Sequence, residues 1–201
     1  MNANLDILSI DGFCIDIMGR LSGGLPAEAL PPANGTLIPQ DWTTFAHSFI
    51  DEDRSDGSIP KSARSNALSR VVIADRNFDD IRGTGRASAS FYGALVNIAY
   101  NAPYGSIEES QARKCRSAVF RTTFRRQLFL SQRGYIGLCP AEAREDDMLC
   151  ILLGVRVPLV LRKQSEHYVI IGDCYIDGVM DGELIPEVEA GKFIIERFNI
   201  H

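Results

Sequence analysis

Apolar and polar residues alternate from Leu5 to Met18, LDILSIDGFCIDIM, with Asp, Ser and a glycine set among aliphatic and β-branched side chains. A period of two marks a strand with one buried face, and Gly12 in its middle predicts a bend or bulge. Ser22–Pro39 gathers SGG and LPPANG without periodicity and reads as a loop. The period then becomes helical. Asp41 is placed to cap a helix whose Trp42, Phe45, Ala46 and Phe49 share one face. Ser62 opens a second helix with Ala63, Ala67, Val71 and Ala74 on one side, and Phe91, Leu95, Ile98 and Ala99 mark a third, stopped before Pro103. Ser106 and Glu109 form a capping box for a fourth, which turns Ala112, Cys115 and Val119 inward and Arg113, Lys114, Arg116 and Arg121 outward.

Beyond that helix the pattern returns to short apolar segments at Gln127–Leu130, Tyr135–Leu138, Met148–Leu153, Val157–Arg162, His167–Ile171 and Lys192–Arg197, parted by Gly, Pro or charged turns. Grouped helices and grouped strands predict an α+β fold rather than a doubly wound one. The expected architecture is a small antiparallel β-barrel of about six to seven strands with a helical insertion after the first. Its strands come from 1–20 and 127–198, the insertion is 41–123, and the whole of 1–201 forms one domain.

Composition narrows the function. With 201 residues, 45% hydrophobic and 23% charged, the chain is an ordinary globular protein, and a net charge of −5 disfavours a nucleic-acid binder. No apolar run reaches the roughly 20 residues of a membrane helix, and MNANLDILSIDG lacks the regions of a signal peptide. Five cysteines, odd in number and without a CxxC pair, fit reduced thiols, so the expected location is the cytoplasm.

Motifs of the common enzyme classes are missing: no Walker loop, nucleophile elbow or zincin helix occurs. RGTGRAS at Arg82–Ser88 begins like a dinucleotide loop but has Ser88 at the third glycine position and no strand before it. His47, His167 and His201 are scattered, so no metal and no cofactor are expected. Asp79-Asp80 and Asp146-Asp147 are neighbours that point in different directions, which suits caps and turns better than acid–base pairs. The basic series Arg113, Lys114, Arg116, Arg121, Arg125, Arg126 and Arg133 reads as a solvated face, able to answer the acidic stretch Asp51, Glu52, Asp53 and Asp56.

The run Gly134–Glu183 is GYIGLCPAEAREDDMLCILLGVRVPLVLRKQSEHYVIIGDCYIDGVMDGE. It resembles the C-terminal barrel region of fungal heterokaryon-incompatibility proteins, which opens GY-x-G-L-x-P and closes G-[ED]-x-Y-x-x-G-x-M-D-G-E. Gly134, Tyr135, Gly137, Leu138, Pro140, Asp147, Pro158, Leu161, Arg162, Tyr168, Gly172, Tyr175, Gly178, Met180, Asp181, Gly182 and Glu183 carry the likeness. A looser likeness extends over Leu68–Asp80. Cys139 stands where the family usually has glycine, and Asp177 where it commonly has histidine. The resemblance implies the barrel without implying a chemistry, and the N-terminal domain that gives the family its name is missing from this chain.

Two functions follow from these readings. The first is a cofactor-independent cyclase or isomerase of the pericyclase type, for instance a Diels–Alder catalyst, that folds a hydrophobic fungal secondary metabolite into a reactive conformer. Alternation through HYVIIGDCY sets His167 and Tyr175 on one face as candidate catalytic donors. Trp42, Tyr92, Tyr135, Cys139, Tyr168 and Asp177 would line the substrate pocket, where the helices meet the barrel. The alternative is a non-enzymatic interaction module of self/non-self recognition, acting through its surface. The stand-alone chain tips the sequence reading toward the cyclase.

Overall fold

The computed structural model describes residues 7–24, 38, 40–51, 67–78, 85–100 and 109–201. They divide into two compact units, one formed by Met1–Leu21 with Phe129–His201 and the other by Ser22–Leu128.

The strand unit begins with β1 (Leu8–Leu21) and continues with β2 (Arg126–Ser131), β3 (Ile136–Pro140), β4 (Met148–Leu152), β5 (Leu159–Gln164), β6 (His167–Asp173), β7 (Tyr175–Ile176) and β8 (Glu196–Ile200). Their order in the sheet is β4-β5-β6-β8-β1-β2-β3-β7, with a further pairing of β4 to β1. That extra pairing bends β1, β4, β5, β6 and β8 into a ring, which makes a barrel-like α+β fold with eight strands among the described residues, where about six to seven were expected. The strands pair antiparallel except at the seam between β6 and β8, pinned by Tyr168 opposite Ile200 and by the His201 amide on the Tyr168 carbonyl at 2.9 Å.

β1 can pair with β8, β4 and β2 because it bends twice. Its first half lies between β8 and β4, its last residues pair with β2, and the register slips between Cys14 and Asp16 and again between Met18 and Arg20. The predicted bulge therefore falls just beyond Gly12. Gly12 instead allows a close approach, since a Cβ there would stand 2.4 Å from the Ile151 carbonyl oxygen and the strands can meet only over a bare backbone.

Alternation sorts the ring's side chains into two cores. Cys150, Leu152, Leu159, Leu161, Phe198 and Ile200 form one, with Ile10, Cys14, Met148 and Tyr168 against it. Since Asp11 and Arg197 on the opposite face are solvent-exposed and ion-paired, this apolar set faces the ring interior. Phe13, Ile15, Leu149 and Val160 point the other way and join Phe129, Cys139 and Ile176 in a second core. Leu184, Val188 and Phe193, from the short helix Ile185–Glu189 and its flanks, pack on the same cluster. Each such side chain, fully buried, contributes about 1.5–3 kcal/mol.

Among the described residues of the other unit the helices are α1 (Gln40–Asp51), α2 (Ala67–Val71), α3 (Ala89–Tyr100) and α4 (Glu109–Thr123), which follow β1; the strand unit's short helix is then α5. Trp42 and Ala46 are buried on α1, Phe91 and Leu95 on α3, Cys115 and Val119 on α4, while Arg113, Lys114 and Arg121 are exposed. α2 ends at Val71, short of the Ala74 its apolar pattern reached, and Ala74 and Asp75 both take positive φ (49° and 50°) just beyond it. Ser88, the misfit in the dinucleotide-like loop, caps α3: its Oγ accepts the Phe91 amide at 3.2 Å. Ser62, Ser106, Asp79, Asp80 and the acidic residues Glu52, Asp53 and Asp56 lie outside the described residues. Among the described residues, no helix is long and apolar enough to cross a membrane.

Candidate functional site

The polar residues of the Gly134–Glu183 run serve to hold the chain to itself. Asp147, 3% exposed, accepts Arg162 Nε on Oδ1 and Nη2 on Oδ2, both at 2.8 Å, and also accepts the Arg144 amide at 2.8 Å. Arg162 reaches on to the Glu142 carbonyl at 3.0 Å. The loop Ala141–Asp147 is thereby tied to β5, and Asp147 is the anchor of a turn rather than an acid or base. Gly137 lies under β7, where a Cβ would come within 2.1 Å of the Tyr175 carbonyl oxygen and 2.5 Å of the Phe129 ring. At Gly172 (φ 156°) a Cβ would meet Pro140 Cγ at 2.7 Å. Met180 Sδ accepts the Ile176 amide at 3.5 Å, and Glu183 accepts the Asp181 amide at 2.6 Å. Gly178 and Gly182 supply the positive φ of the closing turns.

Each candidate residue has a definite place. Tyr175 is buried in β7 opposite Leu138, and its hydroxyl donates to Asp177 Oδ1 at 3.0 Å, so the structure joins these two. His167, at the start of β6, packs against His201 with the rings tilted and their centroids 4.5 Å apart. The shared face expected for His167 and Tyr175 does not form, for a reason in the backbone. Leu161 pairs with Ile170 but Val160 with Gly172, so Ile171 is an extra residue that shifts the alternation, and Cys174 separates β6 from β7.

Tyr168 turns into the ring and meets Phe198 edge-on at 5.0 Å; burial raises its phenol pKa first, with Glu196 adding to the rise. Tyr135 is half-buried beside the second core, and burial is again the main cause of a raised pKa, followed by the nearby Glu187 carboxylate. Its backbone exchanges two bonds with Ser131, each at 2.8 Å. Cys139 is fully buried in that core. Trp42 and Tyr92 belong to the helical unit. Trp42 Nε1 donates to the Gly23 carbonyl at 3.4 Å, and the Tyr92 hydroxyl donates to Asp75, which also takes Arg86.

Sequence reasoning missed Asp16. It is 6% exposed, and its two oxygens accept the Ile17 and Arg133 amides at 2.8 Å, which fastens the β2–β3 turn to β1. Its place at a slip of register, where a strand polar group loses its ladder, was the available signal.

The framework just described has relatives. A family model described as the Het-6 beta-barrel domain matches residues 105–195. This region is similar to the Het-6 barrel. The matched segment holds α4, β2 to β7 and α5, while β1 and β8, which complete the ring, flank it. A similar protein is the heterokaryon incompatibility protein 6, OR allele, of Neurospora crassa, 32% identical over 71 residues, which cover 33% of this chain and 10% of that protein. The chain thus spans about a tenth of the length of the curated relative it matches. No solved structure matches. Asp147, Arg162, Gly137, Gly172 and Tyr175, all within the matched range, fix loops and close approaches in this fold.

Proposed function

We propose that this chain is a non-enzymatic protein-interaction module of fungal heterokaryon incompatibility, contributing to self/non-self recognition through its surface. The Het-6 barrel match over residues 105–195 is the observation that carries the reading. Two features of the fold support it. The polar groups most characteristic of the run are engaged internally, as in Asp147 with Arg162 and Tyr175 with Asp177. The segment after β7 buries Leu184 and Phe193, packs the partly buried Val188 beside them, and turns Ile185, Ile194 and Ile195 outward at 57%, 82% and 51% exposure. Large aliphatic groups repeated outward on one segment suit contact with another protein.

The cyclase reading has less support. A hydrophobic metabolite needs a cavity of roughly 300–1,000 Å³, and the ring interior is occupied by Phe198, Leu161, Leu152 and Cys150. The test is to express the chain in a filamentous fungus and to pair that strain with a compatible partner. Arrest or death of the fused compartments, absent from the empty-vector control, is the expected outcome. Healthy fused compartments, together with conversion by the purified protein of a metabolite that accumulates in a deletion strain, would reverse the assignment.

A further inference from the structure

Two thiols meet inside the ring. Cys14 on β1 is directly opposite Cys150 on β4, and both side chains belong to the interior core. The hydrogen-bond pattern fixes the kind of pair they make. The Leu153 amide donates to the Asp11 carbonyl at 2.8 Å, so residues 11 and 153 form a hydrogen-bonded pair. Alternation along the same register makes 13 with 151 another, and leaves Cys14 with Cys150 as a non-hydrogen-bonded pair. Such pairs hold their Cα atoms about 4.5 Å apart with side chains close, which falls inside the roughly 4.4–6.8 Å span that a disulfide bridges.

The two thiols differ in reach: Cys14 is half-buried and its Sγ donates to the Asp16 carbonyl at 3.3 Å, whereas Cys150 is fully buried. We propose that Cys14 and Cys150 are a peroxide-oxidisable pair that closes a cross-strand disulfide within the ring. Cys14 meets the oxidant and Cys150 resolves the product. The Cys14 sulfur attacks one oxygen of hydrogen peroxide; the O–O bond breaks, the thiol proton leaves with the other oxygen as water, and Cys14 becomes a sulfenic acid. Cys150 sulfur then attacks Cys14 sulfur, the S–O bond breaks, and its proton leaves with the hydroxyl as a second water. Peroxide is reduced and both thiols are oxidised. The neighbouring Cys150 thiol lowers the Cys14 pKa, which favours the thiolate as the attacking form; the neighbouring Cys14 and burial raise that of Cys150, as befits the partner that waits.

The disulfide would fasten β1 to β4 and close a loop that contains the whole Ser22–Leu128 unit. This inference is independent of the recognition reading. To test it, the folded chain is treated with hydrogen peroxide, remaining thiols are blocked with a maleimide, and the digest is mapped by mass spectrometry without reduction. A peptide joining Cys14 to Cys150, lighter by two hydrogens and split by a reductant, is expected. Cys14→Ser should abolish it, and Cys150→Ser should leave a Cys14 sulfenic acid that a dimedone probe captures. Wild-type Cys14 oxidised to the sulfinic acid without a cross-link would overturn the proposal, as would Cys150 joined to Cys174 instead. The wild-type map decides the matter even where a serine variant fails to fold.

Discussion

Replacing Asp147 by alanine should weaken the strand unit by about 3 kcal/mol, at the lower end of the roughly 3–5 kcal/mol seen when one partner of a buried ion pair is removed. Asp147 is 3% exposed and takes both nitrogens of one guanidinium edge at 2.8 Å. Arg162 would then lose its counter-ion while its side chain stays only 23% exposed. It keeps the Glu142 carbonyl and some access to water, which is why the lower figure applies. The Arg144 amide also loses its acceptor, a deficit of about 1 kcal/mol that should persist when Arg162 is removed as well. The double variant Asp147→Ala/Arg162→Met should therefore recover most, though not all, of the loss. Urea unfolding followed by far-UV circular dichroism measures it. Tryptophan fluorescence does not serve, since the single Trp42 sits in the helical unit. An Asp147→Ala protein within about 0.5 kcal/mol of wild type would refute the assignment of this pair as the anchor of the loop.

Gly137→Ala should cost more than about 3 kcal/mol or prevent folding, because its Cβ meets backbone that cannot give way; soluble yield and chemical denaturation read the effect. Gly23→Ala offers a contrast, since a Cβ there has open space but the φ of 80° leaves only the smaller backbone cost. Tyr135 and Tyr168 hold their protons more tightly in the fold than as free phenols. Their contribution to stability is therefore complete below pH about 10, the unfolded value, and is lost as pH rises through the higher folded values. Denaturation midpoints across that window should fall less steeply in Tyr135→Phe. His167→Ala removes a ring contact with His201 and should leave stability nearly unchanged, within about 1 kcal/mol by the same unfolding assay.

Much of the strand unit was legible because its segments are short, β-branched and bounded by turn formers. β8 was placed too early for a physical reason: the run from Lys192 is apolar, but Phe193 anchors it to the core while Ile194 and Ile195 face solvent, so pairing starts only at Glu196. β7 escaped notice because two residues carry no period. The candidate site depended on one alternation running from His167 to Tyr175, and a single extra residue at Ile171 undid it. A bulge leaves little trace in one sequence when no glycine or proline sits on the extra residue. Gly12 shows the converse, a glycine retained for close approach and mistaken for the bend itself. The like pairing of Cys14 with Cys150 lay beyond sequence reasoning altogether, since register across distant strands is set by the ring.

The proposed action of this barrel is by its surface. Its most direct test compares three chains in the compartment-fusion assay: wild type, the surface variant Ile194→Asp/Ile195→Asp, and the interior variant Tyr168→Phe, each shown by circular dichroism to be folded. Wild type and Tyr168→Phe should both arrest fused compartments, and the surface variant should not. Arrest retained by the surface variant but lost with Tyr168→Phe would contradict the claim and return attention to the ring interior.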